Sequence, residues 1–221
     1  YKININSNSL KENIISERII NIGQLYDAVM QSIYFKESDK CRKWAEKNQL
    51  LWREIPLFIG MMPNPRSIII VRDPRAVLAS FLKYTRYAYP AGLGAAFNWY
   101  DCCQSIKNYS QLVKDKLLVI KYENLINNSD SEWDKVRKHL QINLPSVNEI
   151  NNQLNAIKYQ ANSSFQDGTF HKEFNNKISI NKWEEFLNVD QIKFVEAICS
   201  NFMEDYDYKL KYNISDKHNF L

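Results

Sequence analysis

The residues best placed by type and spacing to do chemistry lie in one string, Arg66-Ser-Ile-Ile-Ile-Val-Arg-Asp-Pro-Arg-Ala-Val-Leu-Ala-Ser80. Arg72 ends an apolar run. Asp73 is a helix-capping residue type, and Pro74 suits a first helical position, where a missing N–H costs nothing. A helix start offers unpaired backbone N–H groups and the positive end of the helix dipole, which together favour an anion. A guanidinium at its mouth adds a planar fork for phosphate or carboxylate oxygens. Ser80 stands eight residues after Arg72 and one turn after Ala76, whose small side chain leaves room beside the hydroxyl. The competing reading of Arg-Asp-Pro alone is an α/β crossover whose arginine pairs with a carboxylate.

These side chains need a scaffold. Ile68 to Val71 is mostly β-branched and uninterrupted by polar residues, the pattern of a strand buried on both faces of a parallel sheet. The helix that follows runs through Ala76, Val77, Leu78, Phe81 and Leu82. Leu117 to Lys121 repeats the strand pattern. The fold expected is a three-layer α/β domain with a mostly parallel sheet between helices, and such sheets bind ligands at their carboxyl edge. Helical periodicity also covers residues 10–35, with Gly23 as a break, 50–62 with Pro56 inside it, 95–113, 131–141 and 189–203. Residues 43–48 read as a short strand, with Lys47 at or near its end. Residues 84–94 read as a loop. Residues 151–182 lose periodicity and read as a long functional loop folded over the carboxyl edge. The organisation expected is one domain over 1–208 and a polar tail over 209–221, the tail character beginning near 207.

The whole-chain numbers restrict the partners. Of 221 residues, 45% are apolar, enough for a core, and 13% are aromatic. A net charge of +4, with basic residues dispersed among acids, fits an anionic small ligand better than nucleic acid. Cys41, Cys102, Cys103 and Cys199 form no zinc-type spacing and read as free thiols, which favours a reducing, cytoplasmic setting. No apolar run is long enough to span a membrane. His139, His171 and His218 stand in no motif.

Arg72-Asp73-Pro74-Arg75-Ala76-Val77, with Ser80 after it, resembles the 3′-phosphate-binding motif of the sulfotransferases. Lys47-Asn48, then Met62-Pro63-Asn64, resemble the lysine segment and the turn that precede that motif in the family. Tyr122-Glu123-Asn124-Leu125 resembles the segment that follows it. Asn162-Ser163-Ser164-Phe165 and Lys182-Trp183 resemble the loop that closes over the nucleotide. The resemblance runs from about Trp44 to about Tyr208 and is nearer to the tyrosylprotein-like and related bacterial branch than to the cytosolic aryl type.

It implies a P-loop NTPase-like fold and sulfuryl transfer from 3′-phosphoadenylyl sulfate (PAPS), without a metal. The acceptor would be a hydroxyl or amine on a carbohydrate, a small molecule or a peptide tyrosine. It also implies roles. Arg72 and Ser80 would hold the 3′-phosphate, and Lys47 would stabilise charge on the sulfuryl and bridging oxygens. Tyr122 would approach the adenine and Phe165 would stack on it, with Ser164 and Lys182 as further nucleotide contacts. Two departures stand out. Gln49 replaces the family's usual proline, and no counterpart exists of the opening P-R-S-G-T-T loop that binds the 5′-phosphosulfate. The sheet is therefore expected to lack its first strand. The chain reads either as a fragment of an enzyme or as an inactive member that binds a 3′-phosphorylated adenine nucleotide.

Overall fold

In this computed structural model, residues 11, 21–34, 43–48, 50–84, 91–156 and 178–212 are described. Helix α1 (Ile22–Tyr34) is followed by the segment 43–48, a 3₁₀ turn at Trp52–Glu54 and helix α2 (Ile55–Met61). Then come strand β1 (Ser67–Val71), helices α3 (Pro74–Tyr84) and α4 (Ala91–Val113), and strand β2 (Leu117–Lys121). Helices α5 (Tyr122–Asn127), α6 (Ser129–Leu140) and α7 (Val147–Ala156) follow. Two short helices, α8 (Ile178–Asn181) and α9 (Trp183–Phe186), lead into α10 (Val189–Asp205).

β1 and β2 pair in parallel, from Ser67 opposite Leu117 to Val71 opposite Lys121. The antiparallel helices α3 and α4 make the crossover that a parallel pair requires. Both strands end at the same edge, so Arg72 and Tyr122 emerge side by side. The observed chain is mostly helical, with a sheet of two strands among the described residues. α3, α4 and α10 pack together around Leu78, Trp99, Val195 and Met203, all buried. α10 starts on a capping box: the Asn188 side chain accepts from the Gln191 N–H, and the Gln191 side chain accepts from the Asn188 N–H.

Some boundaries move for physical reasons. Pro56 sits in the first turn of α2, where its missing N–H costs nothing, so the helix starts at Ile55 instead of running from 50. Residues 43–48 form no strand: their backbone has no ladder partner among the described residues. Tyr122 begins a helix directly after β2. α4 starts at Ala91, inside the stretch read as a loop. α7 and α8 occupy the two ends of the 151–182 stretch; Ser164 and Phe165 lie outside the described residues, as does Cys41. Residues 207–212, read as the start of a polar tail, are held: Tyr208 is buried, and the backbone N–H groups of Lys211 and Tyr212 donate to Glu196.

Candidate active site

Arg72 leaves the end of β1, where its backbone carbonyl accepts from Trp99 Nε1 of α4 at 2.8 Å. Its guanidinium lies over the Tyr122 ring, 4.5 Å from the centroid. The two strand ends thus bring a cation onto an aromatic face, a contact that orients the guanidinium.

The start of α3 differs from the open anion site that the string suggested. The Asp73 N–H donates to Glu123 Oε1 at 3.0 Å, and the Arg75 N–H donates to Asp73 Oδ1 at 2.9 Å. Side-chain carboxylates already take these two N–H groups, so neither is open to an anion.

Arg75 is buried, and its guanidinium makes a two-point contact with Asp73 at 2.7 and 3.0 Å. The same group donates to Glu196 Oε1 at 2.7 Å and to the Lys209 carbonyl at 3.0 Å. Burial disfavours its charge, but the hydrogen bonds it donates to Asp73 and Glu196, with the attraction of their charges, outweigh that and hold its pKa above the ordinary value. Its Cζ lies 4.1 Å from the centroid of Trp183, in α9. Removing one partner of such a buried pair costs about 3–5 kcal/mol, because the other charge is left uncompensated. Glu123 also accepts from the Tyr208 hydroxyl at 2.7 Å; burial first, then this carboxylate, raises the phenol's pKa.

Lys47 belongs to a segment clamped onto α1. Trp44 Nε1 donates to Asp27 and the Tyr26 hydroxyl donates to Glu46, each at 2.6 Å. α1 approaches α2 closely at Gly23, where an added Cβ would stand 2.0 Å from the Met61 carbonyl oxygen. At the amino end of β1, Lys43 reaches the Gln141 carbonyl, and His139 contacts the Ser67 carbonyl. Near the other end, Trp52 and Arg53 donate to Asp101, two residues along α4 from the Trp99 that holds Arg72.

A cavity of about 1120 Å³ is lined by both Lys47 and Arg72. Every residue of β1 from Ser67 to Val71 also lines it, although successive strand side chains point to opposite faces. The cavity thus follows the strand's edge, which has no ladder partner among the described residues.

Of the other sequence candidates, Ser80 is half-buried on α3, and Lys182 is exposed where α8 meets α9, which packs on α3. Cys103 and Cys199 are buried free thiols, and burial pushes the Cys199 pKa up to about 12, so they are unreactive packing groups. Sequence reasoning passed over Trp99, Glu123 and Glu196. Glu196 carried a signal: a carboxylate one turn from Ile192 and Cys199, on the inward stripe of α10, demands a buried cation. No helix among the described residues is long and apolar enough to cross a membrane.

No curated protein matches the sequence. Among solved structures, the sulfotransferase domain from the curacin biosynthetic pathway has the same fold, with a TM-score of 0.54 at 16% identity. That match covers 93% of this chain and 80% of the other. The profile of the sulfotransferase domain family matches residues 57–207, which hold β1, β2, the Arg72 string and the Arg75 cluster. The chain belongs to the sulfotransferase domain family, whose enzymes take their sulfuryl group from PAPS.

Proposed function

We propose that this chain serves sulfuryl transfer from PAPS to a hydroxyl or amine acceptor, with Arg72 and Ser80 as ligands of the donor's 3′-phosphate and Lys47 at the transferring group. The observation that carries the proposal is the meeting of Lys47 and Arg72, 25 residues apart in sequence, on one cavity beside β1. In the reaction the acceptor atom bonds to sulfur, and the bond from sulfur to the bridging phosphate oxygen breaks. The acceptor's proton passes to a base, and adenosine 3′,5′-bisphosphate leaves. Negative charge grows on the bridging oxygen, so a fixed cation there lowers the barrier, and in-line positioning supplies most of the rest. Tyr122 and Lys182 are read as nucleotide contacts, and so are Ser164 and Phe165 outside the described residues.

The slot beside β1 is read as the seat of a further parallel strand, the one that would carry the 5′-phosphosulfate loop. What supports this is that five consecutive β1 residues line the cavity and residues 43–48 line it too.

The test is calorimetric titration with adenosine 3′,5′-bisphosphate. Arg72→Ala removes a charge-assisted contact worth about 1.5–3 kcal/mol, so affinity should fall roughly ten- to hundredfold. Arg72→Lys should recover only part of it, because a point charge does not copy the guanidinium fork. Equal affinities for wild type and a folded Arg72→Ala variant would remove Arg72 from the phosphate site.

A further inference from the structure

Arg72 and Arg75 flank one helix start in different surroundings. Arg72 lines the cavity and lies over Tyr122. Arg75 is sealed inside, its side chain 6% exposed between Asp73 at 9% and Glu196 at 0%. We propose that Arg75 is a positioning residue for the donor-phosphate site: it holds the Asp73 carboxylate away from Arg72 and fixes the start of α3. The proposal rests on the reading of Arg72 as the phosphate ligand.

Two carboxylates, Asp73 and Glu196, converge on the single guanidinium of Arg75. Glu196 is otherwise served by two backbone N–H groups, those of Lys211 and Tyr212. Asp73 is served by Arg75 alone among the described residues, through its guanidinium and its backbone N–H. Asp73 is also the immediate chain neighbour of Arg72. Without the Arg75 guanidinium, the Asp73 carboxylate would be a buried anion beside a cation whose task is to bind a different anion. It would compete with phosphate for Arg72, since an uncompensated buried charge recruits the nearest opposite one.

Geometry adds a second strand to the argument. The Asp73 N–H is tied to Glu123 and the Arg72 carbonyl to Trp99, so the peptide between residues 72 and 73 is held from both sides. A shift of the Asp73 carboxylate pulls on that peptide and hence on the base of the Arg72 side chain. Arg75 is the group that ties this point to α10 through Glu196 and to the 209–212 segment through the Lys209 carbonyl.

The experiment measures adenosine 3′,5′-bisphosphate affinity by calorimetry, with thermal unfolding run in parallel, for wild type, Arg75→Met and the double variant Arg75→Met/Asp73→Asn. Asn caps a helix about as well as Asp but carries no charge. Arg75→Met should weaken binding about tenfold or more, and adding Asp73→Asn should return most of the loss. A role confined to folding would lower the unfolding temperature and leave the affinity of the folded fraction unchanged. If Arg75→Met does not fold, Arg75→Lys, which keeps the charge and loses the two-point fork, takes its place and should still bind several-fold more weakly. A folded Arg75 variant with wild-type affinity, or a double variant no better than the single, overturns the positioning role while leaving Arg72 as the ligand. Wild-type protein that shows no binding at all overturns the phosphate reading and the positioning role with it.

Discussion

If Arg72 is the phosphate ligand proposed above, any order its guanidinium has before binding spares entropy at the moment of binding, and the Tyr122 ring 4.5 Å from it supplies such order. A guanidinium over an aromatic face gains about 0.5–1 kcal/mol when exposed and up to about 2 when desolvated. Its fork is also held in a narrow range of orientations. Tyr122→Phe keeps the ring and should leave bisphosphate affinity unchanged. Tyr122→Leu removes it and should weaken binding about three- to tenfold; a Leu variant that titrates like wild type would free the ring for another role. The place of Arg72 at the end of β1 was legible, because strand run, arginine and helix start are written in one contiguous string. Its direct contact with the Tyr122 ring was not, although the sequence named Tyr122 as a site residue, because the two lie 50 residues apart and meet through strand register. The same holds for Arg75 and Glu196, which are 121 residues apart. Asp73 was legible as a cap, but its second task, neutralising Arg75, was not.

Among the elements, both strands, α3 and α10 are close to what periodicity predicts, since each carries its own apolar pattern and its own start signal. The misses are elements that depend on neighbours. A lone extended segment such as 43–48 becomes a strand only if an edge is there to pair with it. The α6–β1 junction shows how such contacts respond to conditions. His139 Nε2 lies 3.0 Å from the Ser67 carbonyl, and burial lowers its pKa below the ordinary 6.5. The unfolded chain therefore takes up this proton first. The stability from neutral His139 is fully present above pH 6.5 and is lost as pH falls through the lower folded value. Thermal unfolding followed across this range should show a falling midpoint, and His139→Gln should flatten the fall. An unchanged slope in the variant would place the sensitivity elsewhere.

At the scale of the molecule, the two ends of the described chain serve one place. Residues 43–48 line the cavity, while α10 and residues 208–212 support the strand ends from beneath through Glu123, Glu196 and the Lys121 contact to the Tyr206 carbonyl. That closure was only half visible in the sequence, because the apolar stripe of α10 says that it packs inward but not on what. The edge of β1 carries a different consequence. Ile68, Ile69, Ile70 and Val71 form a flat, uncharged, β-branched row, and Ile70 is 55% exposed. Natural sheets guard such rows with lysine, proline or a bulge, and this one has none within the strand. Prepared on its own, the chain should behave as a colloid with one adhesive rim. Scattered light should rise steeply with protein concentration, and Ile70→Lys should suppress that rise. A solution that stays monodisperse on concentration would mean that the rim is already guarded.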